Sequence, residues 1–152
     1  MKRQLGFTLL EMMVVVAIIA ILAGILIPNF TRARAQAATS ACMSNEKTIA
    51  TALELYYTDN QKYPNAATAT AIDQSYITAN LSGYMNQVPV DPAAGSGSSY
   101  TLQTSTSSGV STYTILCPGA HDPATLQNLT GGSSTTNTKI KYDNQNGFSS
   151  SS

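Results

Sequence analysis

One stretch limits what this chain can fold into. From Met12 to Ile27 it runs 16 residues without a charged or hydrogen-bonding side chain, and a single acid, Glu11, stands at the mouth of the run. Phe7 to Phe30 is 24 residues, and at about 1.5 Å per residue one helix of that length crosses a hydrocarbon layer of roughly 30 Å. Lys2 and Arg3 precede it. Basic residues are retained on the cytoplasmic side, so the remainder of the chain is predicted to lie outside the cytoplasm.

Three simpler explanations account for less of the stretch. A cleaved secretory signal would use the small residues Ala33 and Ala35, or Ala35 and Ala37, but its apolar region usually ends within about 15 residues. A plain membrane anchor explains the hydrophobicity and leaves Glu11 unexplained. A core helix would need more apolar chain around it than 152 residues of this polarity can supply.

Glu11 needs a partner, because a carboxylate deep in a membrane helix costs about 2.5–3.5 kcal/mol even on lenient insertion scales. Cutting the chain after Gly6 would make Phe7 an N-terminus and supply an α-amine. Glu11 would then lie one turn from that amine, in the first helical turn, where the helix dipole favours an acid. A neighbouring copy's terminus could complete the neutralisation.

The segment Gly6-Phe7-Thr8-Leu9-Leu10-Glu11 resembles the processing site of type IV pilins and type II secretion pseudopilins. The resemblance implies that a prepilin peptidase cleaves between Gly6 and Phe7 and N-methylates Phe7. It further implies that Glu11 drives assembly into a helical filament, with other copies of the chain and an inner-membrane assembly machinery as partners. It divides the chain into a leader (1–6), a transmembrane and assembly helix (7–30) and a head that includes the second half of the long helix (31–152). Before assembly the protein would be a single-pass inner-membrane protein, and afterwards an extracellular or periplasmic filament. Pilins usually carry a proline where Pro28 stands. With Gly24 four residues earlier, Pro28 is expected to kink the helix rather than end it.

The helix is predicted to continue from Gln36 to Tyr57, making a rod of nearly 80 Å at about 1.5 Å per residue. Cys42, Ile49 and Tyr56 recur every seven residues, and Leu53 joins their stripe, with Glu46 and Glu54 expected off it. Asp59-Asn60 and Pro64 end the helix. Tyr63-Pro64 is similar to the Tyr-Pro that follows the long helix in pseudopilins. Residues 66–71 read as polar loop, and 72–85 as one or two short helices. Major pseudopilins then carry Asp-Pro-Trp-Gly-Asn-Pro-Tyr. Here Asp91-Pro92 is followed by Ala93-Ala94-Gly95, and the chain has no Trp, which tips the expectation toward a pilus rather than a secretion pseudopilus.

Residues 99–104 and 111–117 alternate in pattern and read as a hairpin with a loop over 105–109. Tyr113, Ile115 and Cys117 are placed on one face. Residues 139–142 form a third strand, 130–138 a loop, and 149–152 a frayed end. The expected fold class is α+β, a long helix on a small antiparallel sheet of three or four strands.

Chemistry beyond assembly finds little support. His121, the only histidine, lies in a loop by composition and reads as exposed, with no motif around it that would make an enzyme. Asp91, Asp122 and Asp143 match no EF-hand spacing, and neither a metal nor another cofactor is expected. Asn128-Leu129-Thr130 fits a glycosylation sequon too short to carry weight. With 8 basic and 8 acidic side chains and no basic cluster beyond the leader, the chain shows no footprint for nucleic acid.

The two cysteines remain. In a head outside the cytoplasm a disulfide persists. Cys42 on the helix stripe and Cys117 on the second strand are predicted to meet in the helix–sheet interface and bond, the alternative being two separately buried thiols. The pairing departs from the habit of many pilins, whose disulfide lies near the C-terminus.

Overall fold

The computed structural model describes residues 7–95, 97–121, 126 and 139–151. The elements are a helix α1 (Leu9–Asn60), a strand β1 (Thr70–Ile72), a short helix α2 (Gln74–Tyr76) continued by a π-type turn (Ile77–Leu81), and four further strands. These are β2 (Tyr100–Ser107), β3 (Val110–Leu116), β4 (Lys139–Asp143) and β5 (Gly147–Ser151). The chain divides into two compact units, one ending at Arg34 and one beginning at Ala35.

The described residues of the first unit belong to the start of α1 and, among the described residues, carry no packed core. Thr8 caps the helix, accepting the Glu11 N–H on its hydroxyl at 3.2 Å, so Thr8 and Glu11 stand at the ends of a Thr-x-x-Glu start signal. The unit's large apolar side chains are exposed, from 44 % at Val15 to 79 % at Leu9. The helix is long and apolar enough to cross a membrane.

The second unit is the α+β head. Its sheet runs in the order β1-β2-β3-β4-β5, with every neighbouring pair antiparallel. One face packs on the later part of α1, from which Cys42, Ile49, Ala50, Ala52 and Leu53 enter the core. There they meet Ile72, Tyr100, Leu102, Tyr113, Ile115 and Ile140. The alternation in β3 is as expected: Tyr113, Ile115 and Cys117 are buried, and the residues between them are half-buried. α1 ends at Asn60, where Gln61 takes a left-handed φ of 57° and donates its N–H to Tyr57 O at 2.7 Å.

The sheet has five strands, not three or four. β1 was hidden because three residues, Thr70, Ala71 and Ile72, carry almost no pattern. They are strand because they pair with Leu102, Thr101 and Tyr100. β5 replaces the expected frayed end. Asp143 accepts the N–H groups of Gln145 (3.1 Å) and Asn146 (2.6 Å), and Gly147 takes a φ of 74°, so a tight three-residue loop returns the chain alongside β4. The β2–β3 connection is also shorter than expected. Ser107 pairs with Val110, leaving only Ser108 and Gly109, both at positive φ (52° and 80°), the signature of a two-residue hairpin turn. In the connecting region the expected short helix begins at Asp73, whose carboxylate accepts the Tyr76 N–H at 2.7 Å.

Aromatic rings tie the helix end to the sheet. Tyr57 meets Tyr63 at 4.7 Å, Tyr63 meets Tyr113 at 4.9 Å edge to face, and Tyr142 meets Phe148 at 4.9 Å. The Tyr63 hydroxyl donates to Glu54 at 3.1 Å. Burial, the Glu54 charge and that hydrogen bond together push the Tyr63 phenol up to about 12.

Candidate functional site

Two places in the chain carry groups that composition alone would not put there. The first is the start of α1. Phe7 is 71 % exposed and Glu11 is exposed in the first helical turn. Gly24 lies within the helix, and a methyl group there would meet nothing within 4 Å. Backbone helix runs through position 28 without interruption. Gly6 lies outside the described residues, as do Asp122 and the sequon at 128–130.

The second place is buried in the head. Cys42 and Cys117 are joined by a disulfide with Cα atoms 6.7 Å apart, linking α1 to the end of β3. The bond forms because helical spacing from Ile49 and strand alternation from Ile115 both aim at the same interface. Around it lie Thr39, Glu46, Asp91 and His121, each no more than 3 % exposed.

His121 is thus buried, not exposed. The turn after β3 folds inward because Asp91 Oδ2 accepts the Gly119 N–H at 3.0 Å, while Asp91 Oδ1 accepts that of Ala93 at 3.0 Å. Only glycine fits at 119. A Cβ would collide with the Asp91 carboxylate and come within 3.0 Å of Ala94 N. The turn carries His121 to within 3.1 Å (Nε2) of Cys117 Sγ and 3.6 Å of Asp91 Oδ2, with Nδ1 3.3 Å from the Thr39 hydroxyl. Burial lowers the His121 pKa, and the neighbouring Asp91 charge opposes that shift.

Glu46 corrects the stripe drawn from the sequence. It lies four residues after Cys42 and three before Ile49, so the buried face passes through it. Among the described residues neither of its oxygens has a hydrogen-bond partner. The Cys117 N–H lies near enough to lower its pKa a little but donates to Ile140 O at 2.9 Å. Burial, followed by the Asp91 charge, pushes the carboxyl up to about 8.

Asp143 belongs elsewhere. It serves its own turn and an ion pair with Lys141 at 3.7 Å. Although burial opposes the shift, the Asn146 and Gln145 hydrogen bonds and the Lys141 charge hold its carboxyl below the usual range. It therefore does not join Asp91 as a calcium ligand. Sequence reasoning missed the gathering of Glu46, Asp91 and His121. The available signal was spacing: Glu46 follows Cys42, and His121 follows Cys117, by four residues each.

A long helix, apolar and bare at its start and packed later on an antiparallel meander, is the architecture of a pilin-like protein. The chain matches the prokaryotic N-terminal methylation motif over residues 1–27 and the type II secretion system protein G family over residues 27–136. It belongs to the type II secretion system protein G family. Among its relatives is type II secretion system core protein G of Pseudomonas aeruginosa, 31 % identical over 84 % of each chain. The protein of the same description from Klebsiella pneumoniae is 29 % identical over 85 % of this chain and 86 % of its own. The type IV major pilin protein PilA of Myxococcus xanthus is 43 % identical over a shorter stretch, 43 % of this chain and 30 % of its own. No solved structure matches significantly. The family is one of structural subunits, not of enzymes.

Proposed function

We propose that the chain is the core pilin-like subunit of a type II secretion pseudopilus, a periplasmic filament that helps move folded proteins out of the cell. The observation that carries this reading is the reach of the protein G match, which runs through the head to residue 136. The methylation segment alone would suit a pilus subunit equally well. The departure from Asp-Pro-Trp-Gly that favoured a pilus has less force than it seemed. Asp91 still anchors the turn at Gly119 without a Trp.

On this reading a prepilin peptidase cuts between Gly6 and Phe7 and methylates the Phe7 amine. Residues 7–30 hold the subunit in the inner membrane, head outside the cytoplasm, until Glu11 meets the Phe7 amine of a neighbouring copy. The exposed apolar side chains of the first unit then pass from lipid into the filament's interior, where close packing and the Glu11 pairing, not removal from water, drive the step. Gly24 and Pro28 weaken the helix where neighbours must accommodate it.

The test is deletion of the chain in its own organism, followed by complementation. Secreted enzymes should accumulate in the periplasm while surface pili and pilus-dependent movement persist. Loss of pili with normal secretion would overturn the reading in favour of a type IV pilus subunit.

A further inference from the structure

The groups nearest the disulfide sulfurs, Asp91 and His121, turn lone pairs toward them. Thr39 donates its only hydroxyl hydrogen to Ala35 O at 3.0 Å. Toward His121 Nδ1, 3.3 Å away, it can therefore only accept, so the neutral ring carries its hydrogen on Nδ1 and a lone pair on Nε2. That lone pair points at Cys117 Sγ (3.1 Å) and Asp91 Oδ2 (3.6 Å), and the same carboxylate oxygen lies 2.9 Å from Cys117 Sγ. A disulfide sulfur carries no hydrogen. Three electron-rich atoms thus crowd together in the buried interior, where among the described residues the Gly119 N–H offsets them. Glu46, fully buried one turn after Cys42, keeps its proton in the fold and is not part of this donor set; neither of its oxygens has a hydrogen-bond partner among the described residues. Such an arrangement is repulsive unless a proton on Nε2 or a metal cation occupies it.

We propose that the reduced chain binds one zinc-class divalent cation through Cys42 Sγ, Asp91 Oδ2, Cys117 Sγ and His121 Nε2, and that this site and the Cys42–Cys117 disulfide exclude each other. One donor atom from each of these four buried residues lies within 4.8 Å of every other. Bonds of about 2.0–2.3 Å in a tetrahedral site place donors roughly 3.3–3.8 Å apart. The three separations among Asp91, Cys117 and His121, at 2.9, 3.1 and 3.6 Å, are already close to that. The two sulfurs must separate, and Cys42 Sγ starts within 4.8 Å of the other donors.

The donor set selects the metal. Two thiolates and an imidazole suit zinc and its soft neighbours, not calcium or magnesium. The supports of a metal site are also in place. Thr39 holds the far nitrogen of His121, and the Ala93 and Gly119 N–H groups hold Asp91.

The exchange balances. A dithiol gives two electrons and two protons to the disulfide, leaving two thiols here and a disulfide on the reductant. The cation then displaces both thiol protons to solvent. A disulfide oxidant reverses the sequence and expels the metal. Either state ties α1 to β3, so the head has a cross-link both before and after oxidation. The proposal stands apart from the choice between secretion and pilus filaments.

The experiment uses the untagged full chain in detergent micelles. Its disulfide is reduced with a phosphine, and the phosphine is removed without oxygen. One equivalent of Co²⁺ should give the thiolate charge-transfer band and intense visible bands of a tetrahedral site, and one equivalent of Zn²⁺ should abolish them. The oxidised chain should take up neither ion. Reduced wild-type chain without these bands overturns the proposal. His121→Ala should weaken binding more than tenfold, and unchanged affinity would remove His121 from the site and overturn the four-donor arrangement. Near-UV circular dichroism of the tyrosines monitors folding. Should the Ala variant not fold, His121→Cys is the second arm. It must keep a tetrahedral spectrum and gain charge-transfer intensity from a third thiolate, and no gain again overturns the proposal.

Discussion

Removing the Cys42–Cys117 bond tests the account of the head's stability most directly. The bond spans 75 residues of sequence. In the chain-entropy treatment a loop of that size denies the unfolded chain about 4.5 kcal/mol of freedom at 25 °C. The head runs from Ala35 to Ser152, or 118 residues, and unfolds with an entropy of roughly 0.25 kcal/mol/K on the usual per-residue scale. The double variant Cys42→Ala/Cys117→Ala should therefore melt about 15–20 °C lower. Native-state relaxation could reduce this to roughly 8 °C, corresponding to about 2 kcal/mol. The assay is near-UV circular dichroism of the eight tyrosines in detergent with a chelator present, because far-UV signal would be dominated by α1. Wild-type chain reduced with a phosphine under the same conditions should melt with the double variant. A double variant melting within about 3 °C of oxidised wild type would refute the argument that this cross-link constrains the unfolded chain.

Glu46 should make stability depend on pH. Its carboxyl titrates at about 8 in the fold against 4.5 as the ordinary value, so the native chain keeps a proton that the unfolded chain releases. That contribution is whole below pH 4.5 and is lost as pH rises through about 8, at most roughly 5 kcal/mol. Urea midpoints at about pH 5 and pH 8 should differ far more in wild type than in Glu46→Gln, and equal differences would remove Glu46 as the cause. Ile115, fully buried in the middle strand, should cost about 2–5 kcal/mol on truncation to Ala, read as a shifted urea midpoint with unchanged slope. Glu11→Ala should insert in membranes at least as well as wild type while filament yield falls sharply. Glu11→Gln separates charge from hydrogen bonding, and normal yield from the Ala variant would count against the assembly role.

What was legible in the sequence was what repeats or stands alone. Glu11 was conspicuous as one acid against an apolar run, and Tyr113, Ile115 and Cys117 showed their shared face by alternation. Cys42 could be placed because helical period fixes a face over many residues. Features set by turns were not legible. Ser108-Gly109 shortens a loop because both residues take positive φ, and β5 pairs because Asp143 organises the preceding turn, although the strand itself is mostly serine. His121 looked like a loop residue because local composition cannot show that Asp91, 30 residues earlier, pulls its turn inward through Gly119. Glu46 is an acid, which solvation ordinarily keeps on the outer face, yet its spacing from Cys42 and Ile49 puts it inside.

The two ends of the sheet have a consequence for life in a crowd. Among the described residues β1 and β5 each pair on one side only. An outer strand is a template on which another copy can add its own strand, and the risk rises wherever many heads are held close together. Here one border is only three residues long, and the other is Gly-Phe-Ser-Ser-Ser, without a single β-branched residue. Neither offers a long, flat, greasy rail for a neighbour's backbone. Copies of this chain can therefore be packed side by side at high local density while each keeps its sheet to itself, leaving the choice of contacts to side chains and to the exposed helix.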